Sequence, residues 1–188
     1  MAPEQGPELD PWLPRPTVHV THSRRSSASP DELWRAARTV LLRETALLGR
    51  LVQWRIPGTP AEIPYYELFR RAPFTVLEDG ERSLVSGIVG RIWTLRRDYP
   101  TLAGAEEFRR FNSSGTARVV FAMWAADEPG GARLSAEVRV AAIGSQGRFG
   151  MAAVRPLIAA FQHLIGSDGL AAAVRKAESG SEQRPLGN

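Results

Sequence analysis

The last third of the chain constrains its fold most. Arg133–Ile143 alternates apolar and polar residues with the period of a strand, and from Phe149 to Glu178 apolar residues recur at helical spacing. About 30 residues rising about 1.5 Å each would span roughly 45 Å, enough to cross a whole sheet. A helix with one apolar stripe must bury that stripe, and the strands before it supply the surface. The pattern therefore predicts a sheet closed by a long C-terminal helix. Pro156 is expected to kink this helix or to mark its first turn, and Gly166-Ser167-Asp168-Gly169 to weaken it again.

Earlier segments supply the rest of that sheet. Thr17–Ser23 reads as a first strand, with Val18 and Val20 alternating against His19 and Thr21. Ser29-Pro30-Asp31-Glu32 is a helix start: Ser29 caps, Pro30 occupies the first turn, and the two acids complement the dipole, with Glu32 placed for a capping box. Apolar residues from Leu33 to Val52 predict two short helices meeting near Arg43–Thr45, ended by Ile56-Pro57-Gly58-Thr59-Pro60. Residues 57–72 are expected as a loop with a helical turn at Tyr65–Arg70. Phe74–Leu77 and Ser83–Trp93 read as strands joined by a hairpin at Asp79-Gly80, with Gly87 and Gly90 marking a bend or bulge. After a polar connection, with a short helical turn at Ala105–Phe111, Thr116–Ala126 and Arg133–Ile143 form a second hairpin around Glu128-Pro129-Gly130-Gly131. Strands in a run with helices segregated to one side argue an α+β fold.

Composition excludes several function classes. At 188 residues, 43% apolar and 23% charged, the chain suits one domain, here 17–178, with a proline-rich disordered or extended tail at 1–16 and a polar tail at 179–188. Trp12 and Leu13 are candidates for local docking of the first tail. The absence of cysteine removes disulfides, thiolate metal sites and cysteine nucleophiles, and fits a cytoplasmic location. The acidic start has no signal-peptide core. The longest run without Asp, Glu, Lys or Arg, Pro156–Ser167, is shorter than the about 20 residues of a membrane span. The basic pI of about 10.3 comes from arginine, since only Lys176 is lysine. The doublets Arg24-Arg25, Arg70-Arg71, Arg96-Arg97 and Arg109-Arg110 are dispersed among acids and read as solvated faces, so no nucleic-acid partner is expected.

Taken together, Thr17–Ser23 followed by Ser-Pro-Asp-Glu-Leu-Trp at 29–34, the meander from Phe74 to Ile143, and a closing helix with Arg155-Pro156 and Arg175-Lys176-Ala177-Glu178 resemble the SRPBCC superfamily. These are the START-like or pollen-allergen-like helix-grip proteins. In detail the chain is similar to an uncharacterised actinobacterial subgroup, in which Leu134–Val140 would match a Thr-Glu-Thr-Arg-Val-like strand. Ser135, Ala136 and Val138 depart from that form, and the glycines at 166–169 are unusual for the helix. The resemblance covers residues 17–178. It implies a helix-grip fold, a curved antiparallel sheet wrapped around the long C-terminal helix, with two short helices after the first strand. It also implies a cavity for an apolar small molecule. Carriers, hormone receptors, polyketide cyclases and aromatases, and ring-hydroxylase subunits share this architecture. The His and Cys clusters of the hydroxylases are missing here.

For such a cavity the candidate lining is Trp54, Trp93, Phe121, Phe149, Leu157, Phe161 and Leu164, with Arg91, Glu137, Arg139 and His163 as its polar groups. Each has a plainer alternative. The aromatics can fill a core, Glu137 and Arg139 can form a cross-strand salt bridge on an outer wet face, and His163 can be structural. His19 and His22 lie three apart on a strand and face opposite sides, so no metal site is expected. No Gly-x-Ser-x-Gly elbow or phosphate loop is present, and no cofactor or catalytic residue is assigned. The leading expectation is a protein that binds or carries an apolar or lipid-like small molecule without catalysis. The alternatives are a cyclase or aromatase-like enzyme, using Glu137, Arg91, His163 or Tyr65 to move protons, and an interaction domain whose interior is filled.

Overall fold

A computed structural model describes residues 6–45, 49–50, 52–53, 58–92, 94, 98–148 and 168–180. The chain is α+β. Strands β1 (Val18–Ser26), β2 (Thr75–Gly80), β3 (Ser83–Gly90), β4 (Thr116–Glu128) and β5 (Gly131–Ile143) form one antiparallel sheet in the order β1-β5-β4-β3-β2. Helices are α1 (Pro30–Thr39), α2 (Tyr65–Leu68) and α3 (Ala105–Arg110), and the described residues 49–50, 52–53, 144–148 and 168–180 are helical as well. Among the described residues no helix is long and apolar enough to cross a membrane.

Local chemistry accounts for most of these elements. Ser29 Oγ accepts from the Glu32 amide at 3.4 Å, and the Glu32 carboxylate accepts from the Ser29 amide at 3.2 Å, so the capping box closes. Ser29→Ala should cost about 1 kcal/mol of unfolding free energy, read by urea denaturation. β4 and β5 pair across their full lengths around a two-residue loop at Pro129-Gly130. In the β2–β3 hairpin the loop is Glu81-Arg82 instead of the expected Asp79-Gly80, which are the last residues of β2 and pair with Leu84 and Ser83. Tertiary contacts fix this register. The Arg82 guanidinium reaches Asp31 at 3.3 Å and Asp127 at 3.2 Å, and its carbonyl accepts from the Ala125 amide at 2.9 Å.

Strand alternation divides the sheet into two apolar faces. The front face presents Leu84, Ala117, Phe121, Met123, Leu134, Ala136, Val138 and Val140 to α1, α2 and the 168–180 helix, which contributes Leu170, Ala173 and Ala177. The back face presents Val85, Val89, Val120 and Ala122 to residues 102–111 and to the N-terminal stretch. Two expectations are corrected here. The stretch expected as a tail packs at residues 9–13: Trp12 and Leu13, the candidates for local docking, are buried together with Leu9, and the Leu13 amide closes a turn on the Leu9 carbonyl at 2.8 Å. Nor is cover confined to one side of the sheet. Phe108 is buried against Gly87, where any side chain would collide with its ring. Gly87 therefore makes room for a ring and is not at the sheet's bulge, which lies in β2 between Val76 and Glu78.

The two helices expected from Leu33 to Trp54 also change. α1 stops at Thr39 because residues 40–43 turn to pair with 61–65: Tyr65 N donates to Val40 O (2.7 Å), Leu42 N to Ile63 O (2.9 Å) and Arg43 N to Ala61 O (3.0 Å). A 3₁₀ turn, Leu42–Glu44, follows, and the described residues 49–50 and 52–53 are helical, where the second short helix was expected. That pairing delivers α2 to the front face.

Candidate functional site

The front face converges on an aromatic cluster built by α2. Tyr65 and Phe69, one helical turn apart, project onto the sheet. The Phe69 ring stacks on Phe121 with centroids 3.8 Å apart and planes at 10°, and Tyr65 meets Phe121 edge-on at 6.3 Å. Tyr65 and Phe69 meet at 5.1 Å, and Phe74 closes on Phe69 at 5.0 Å. A hydroxyl pins this arrangement to the sheet: Ser86 Oγ of β3, wholly buried, donates to the Phe69 carbonyl. Ser86→Ala would leave that carbonyl without this donor in an apolar setting. A loss of about 1–3 kcal/mol in thermal or urea unfolding is expected.

Tyr65 is buried, and burial pushes its phenol well above the ordinary value. It keeps its proton throughout the physiological range, so it can donate a hydrogen bond but cannot serve as a base. The 168–180 helix approaches this ring at Gly169, where a β-carbon would sit 3.0 Å from Tyr65 Cε1. Glycine at 169 thus serves close packing, although by sequence it only weakens the helix.

At the rim, Tyr66 packs edge-on to Trp34 of α1 at 5.7 Å. Its hydroxyl donates to Asp79 Oδ1 at 3.2 Å and accepts from Arg70 at 3.0 Å, while Arg70 pairs with Asp79 at 2.6 Å. The Arg38 and Arg70 guanidiniums lie 5.2 and 5.3 Å from the Tyr66 ring centre. Burial first, then the Asp79 charge, raises the Tyr66 phenol above its ordinary value.

Only part of the expected lining comes together. Phe121 is in the cluster. Trp54, Trp93, Phe149, Leu157, Phe161, His163 and Leu164 lie outside the described residues. Arg91 follows the end of β3 and pairs loosely with Asp98 at 3.8 Å, both about half exposed; such a surface pair contributes about 0–1 kcal/mol.

Glu137 and Arg139 are on the back face, turned away from Phe121. Arg139 Nε binds Glu137 at 2.6 Å, its Nη1 binds Asp10 at 2.5 Å and the Leu13 carbonyl at 3.2 Å, and His19 meets Glu137 at 3.0 Å. Burial works against the Arg139 charge, but hydrogen bonds to Asp10 and Glu137 outweigh it and raise its pKa. This cluster fastens the N-terminal stretch. Arg139 and Glu137 are sheltered, at 16% and 14% exposure, while Asp10 and His19 stay at the surface, so the pair is an outer-face salt bridge, as in the plainer expectation, but within one strand and partly covered by the N-terminal stretch.

Tyr66, Phe69 and Ser86 carry the site without having been singled out by sequence. The spacing of Tyr65 and Phe69 in Pro64-Tyr-Tyr-Glu-Leu-Phe was the one signal available for them. Among the described residues no cluster of His, Cys, Asp and Glu could hold a metal ion.

No known family profile and no curated protein matches the chain. Among the solved structures that align with it at low similarity are the following three. Protein TTHA0849 from Thermus thermophilus is 11% identical over 87% of this chain and 99% of its own, with a TM-score of 0.38. Protein MLL2253 from Mesorhizobium loti is 14% identical over 90% and 100%, with a TM-score of 0.35. CV1439 from Chromobacterium violaceum is 15% identical over 85% and 97%, with a TM-score of 0.32. Superpositions this loose carry no functional argument.

Proposed function

We propose that the chain is a helix-grip protein of the SRPBCC kind that binds an apolar, lipid-like small molecule between the front face of its sheet and the helices above it, without catalysis. The observation that carries this function is the chemical character of that face. Val119, Phe121, Val138 and Val140 adjoin the Tyr65–Phe69 shelf, and the polar groups within it are already committed. Ser86 is bound to a carbonyl and Tyr65 is held protonated. Of the groups that could move protons in a cyclase, Glu137 faces the other way and Arg91 sits at the surface. Removing roughly 250 Å² of ligand surface from water at about 25 cal/mol per Å² yields about 6 kcal/mol, before ordering costs. Binding of a modest kind follows from shape and apolarity alone.

The close stack of Phe69 on Phe121 favours a second function, an interaction domain with a filled interior. Native mass spectrometry of the purified chain separates the two. A co-purifying apolar species, or one taken up from fatty acids, sterols and aromatic polyketides, is the expected result. No bound mass and no thermal shift across that panel would leave the filled interior.

A further inference from the structure

We infer that residues 6–13 form an exchangeable arm by which two copies of this chain join, each arm lying on the back face of the other copy. The arm is held at separated points along that face. Gly6 lies against the Trp124 indole of β4, where any side chain would collide. Leu9, Trp12 and Leu13 are buried in one cluster with Val85, Val89 and Val120. Trp12 Nε1 donates to Glu78 of β2 at 2.5 Å, and the Arg109 guanidinium of α3 lies 4.4 Å from the indole centre. Asp10 and the Leu13 carbonyl accept from Arg139 of β5 at 2.5 and 3.2 Å. These partners stand on β2, β3, β4, β5 and α3, not on β1, the strand into which the arm leads. A second copy offers the identical set.

The hinge of this arm is Pro14-Arg15-Pro16. On one side Leu13 is tied to Arg139. On the other the Thr17 amide donates to the Val140 carbonyl at 2.7 Å, and Thr17 Oγ1 accepts from the Ala142 amide at 3.4 Å. Among the described residues no hydrogen bond holds residues 14–16 between those ties. Both prolines lack an amide proton and fix φ at about −65°. Each also pushes the residue before it, Leu13 or Arg15, toward an extended backbone. Such a segment favours a straight run, whereas the docked arm needs bends at 14 and 15. The closed monomer and the exchanged dimer contain the same arm contacts, so hinge and concentration set the balance between them. A short flexible linker holds its arm at an effective concentration on the order of mM, and a linker that resists the span lowers that value. The proline hinge therefore tips the balance toward exchange.

The test is a charge exchange between two full-length variants, read by native mass spectrometry. Asp10→Arg sets two guanidiniums against each other, and Arg139→Asp sets Asp10 against a second carboxylate beside Glu137. Neither arm can then pin to its own face. In a pair made of one chain of each kind, every arm meets the charge that its own chain lacks. The mixture should hold a heterodimer at least roughly tenfold more abundant than the homodimer of either variant alone, the effect of about one charge-assisted hydrogen bond. Adding Trp12→Ala to both chains should return it to monomers. A mixture that stays monomeric would overturn the inference. So would a heterodimer that survives Trp12→Ala, since charge alone would then hold it. If Arg139→Asp does not fold, removal of Pro14 and Arg15 from the otherwise native chain decides. It shortens the reach of the hinge by roughly 7 Å, so a dimer with residues 9–13 still protected from amide exchange is expected, and a monomer overturns the exchange.

Discussion

Phe121→Ala is expected to lower the unfolding free energy by about 3–5 kcal/mol, the range for truncating a buried phenylalanine. The ring is 2% exposed, stacked on Phe69 and met edge-on by Tyr65, so its loss removes apolar burial and leaves a void at the centre of the front face. For a chain of this size each kcal/mol lowers the thermal midpoint by roughly 2–4 °C, giving a shift on the order of 10 °C. Denaturant unfolding with an unchanged slope would report it cleanly. A loss below about 1 kcal/mol would show that Phe69 and Tyr65 do not hold the ring in a packed contact.

Trp12→Ala is expected to cost a comparable amount, about 3–5 kcal/mol, on the opposite face. Trp12 is 5% exposed, its indole N–H donates to Glu78 at 2.5 Å, and the Arg109 guanidinium lies 4.4 Å from its ring centre. It is the centre of the N-terminal stretch, which Arg139 also holds through Asp10 and Leu13. Its truncation should release residues 6–13 and bare Val85, Val120 and Ala122. Amide hydrogen exchange is the sensitive readout: protection in β3 and β4 should fall together with that of residues 9–13. If protection there is unchanged, the N-terminal stretch does not act as a cover.

The strands, the capped helix and the second hairpin were legible because each is a local pattern. Alternation over Thr116–Ala126, a cap at Ser29 with Glu32 three residues on, and Pro129-Gly130 between two runs are written within a few residues. The candidate site was less legible. Phe121 was found because it lies in an unmistakable strand. Phe69, Tyr66 and Ser86 were not, since their roles depend on where a four-residue helix lands. Glu137 and Arg139 were seen to share a face, but alternation cannot say which face a helix will cover.

Sequence by itself determined an α+β chain with an antiparallel meander, its main hairpin and its first helix, because those follow from short-range periodicity and caps. Only the tertiary structure decided that both faces of the sheet are covered, that residues 9–13 are part of the core, and that α1 ends where Val40 meets Tyr65. The physical reason is common to all three. A proline-rich stretch or a short helix has little preference of its own, and its place is set by apolar surface that distant residues would otherwise leave exposed to water.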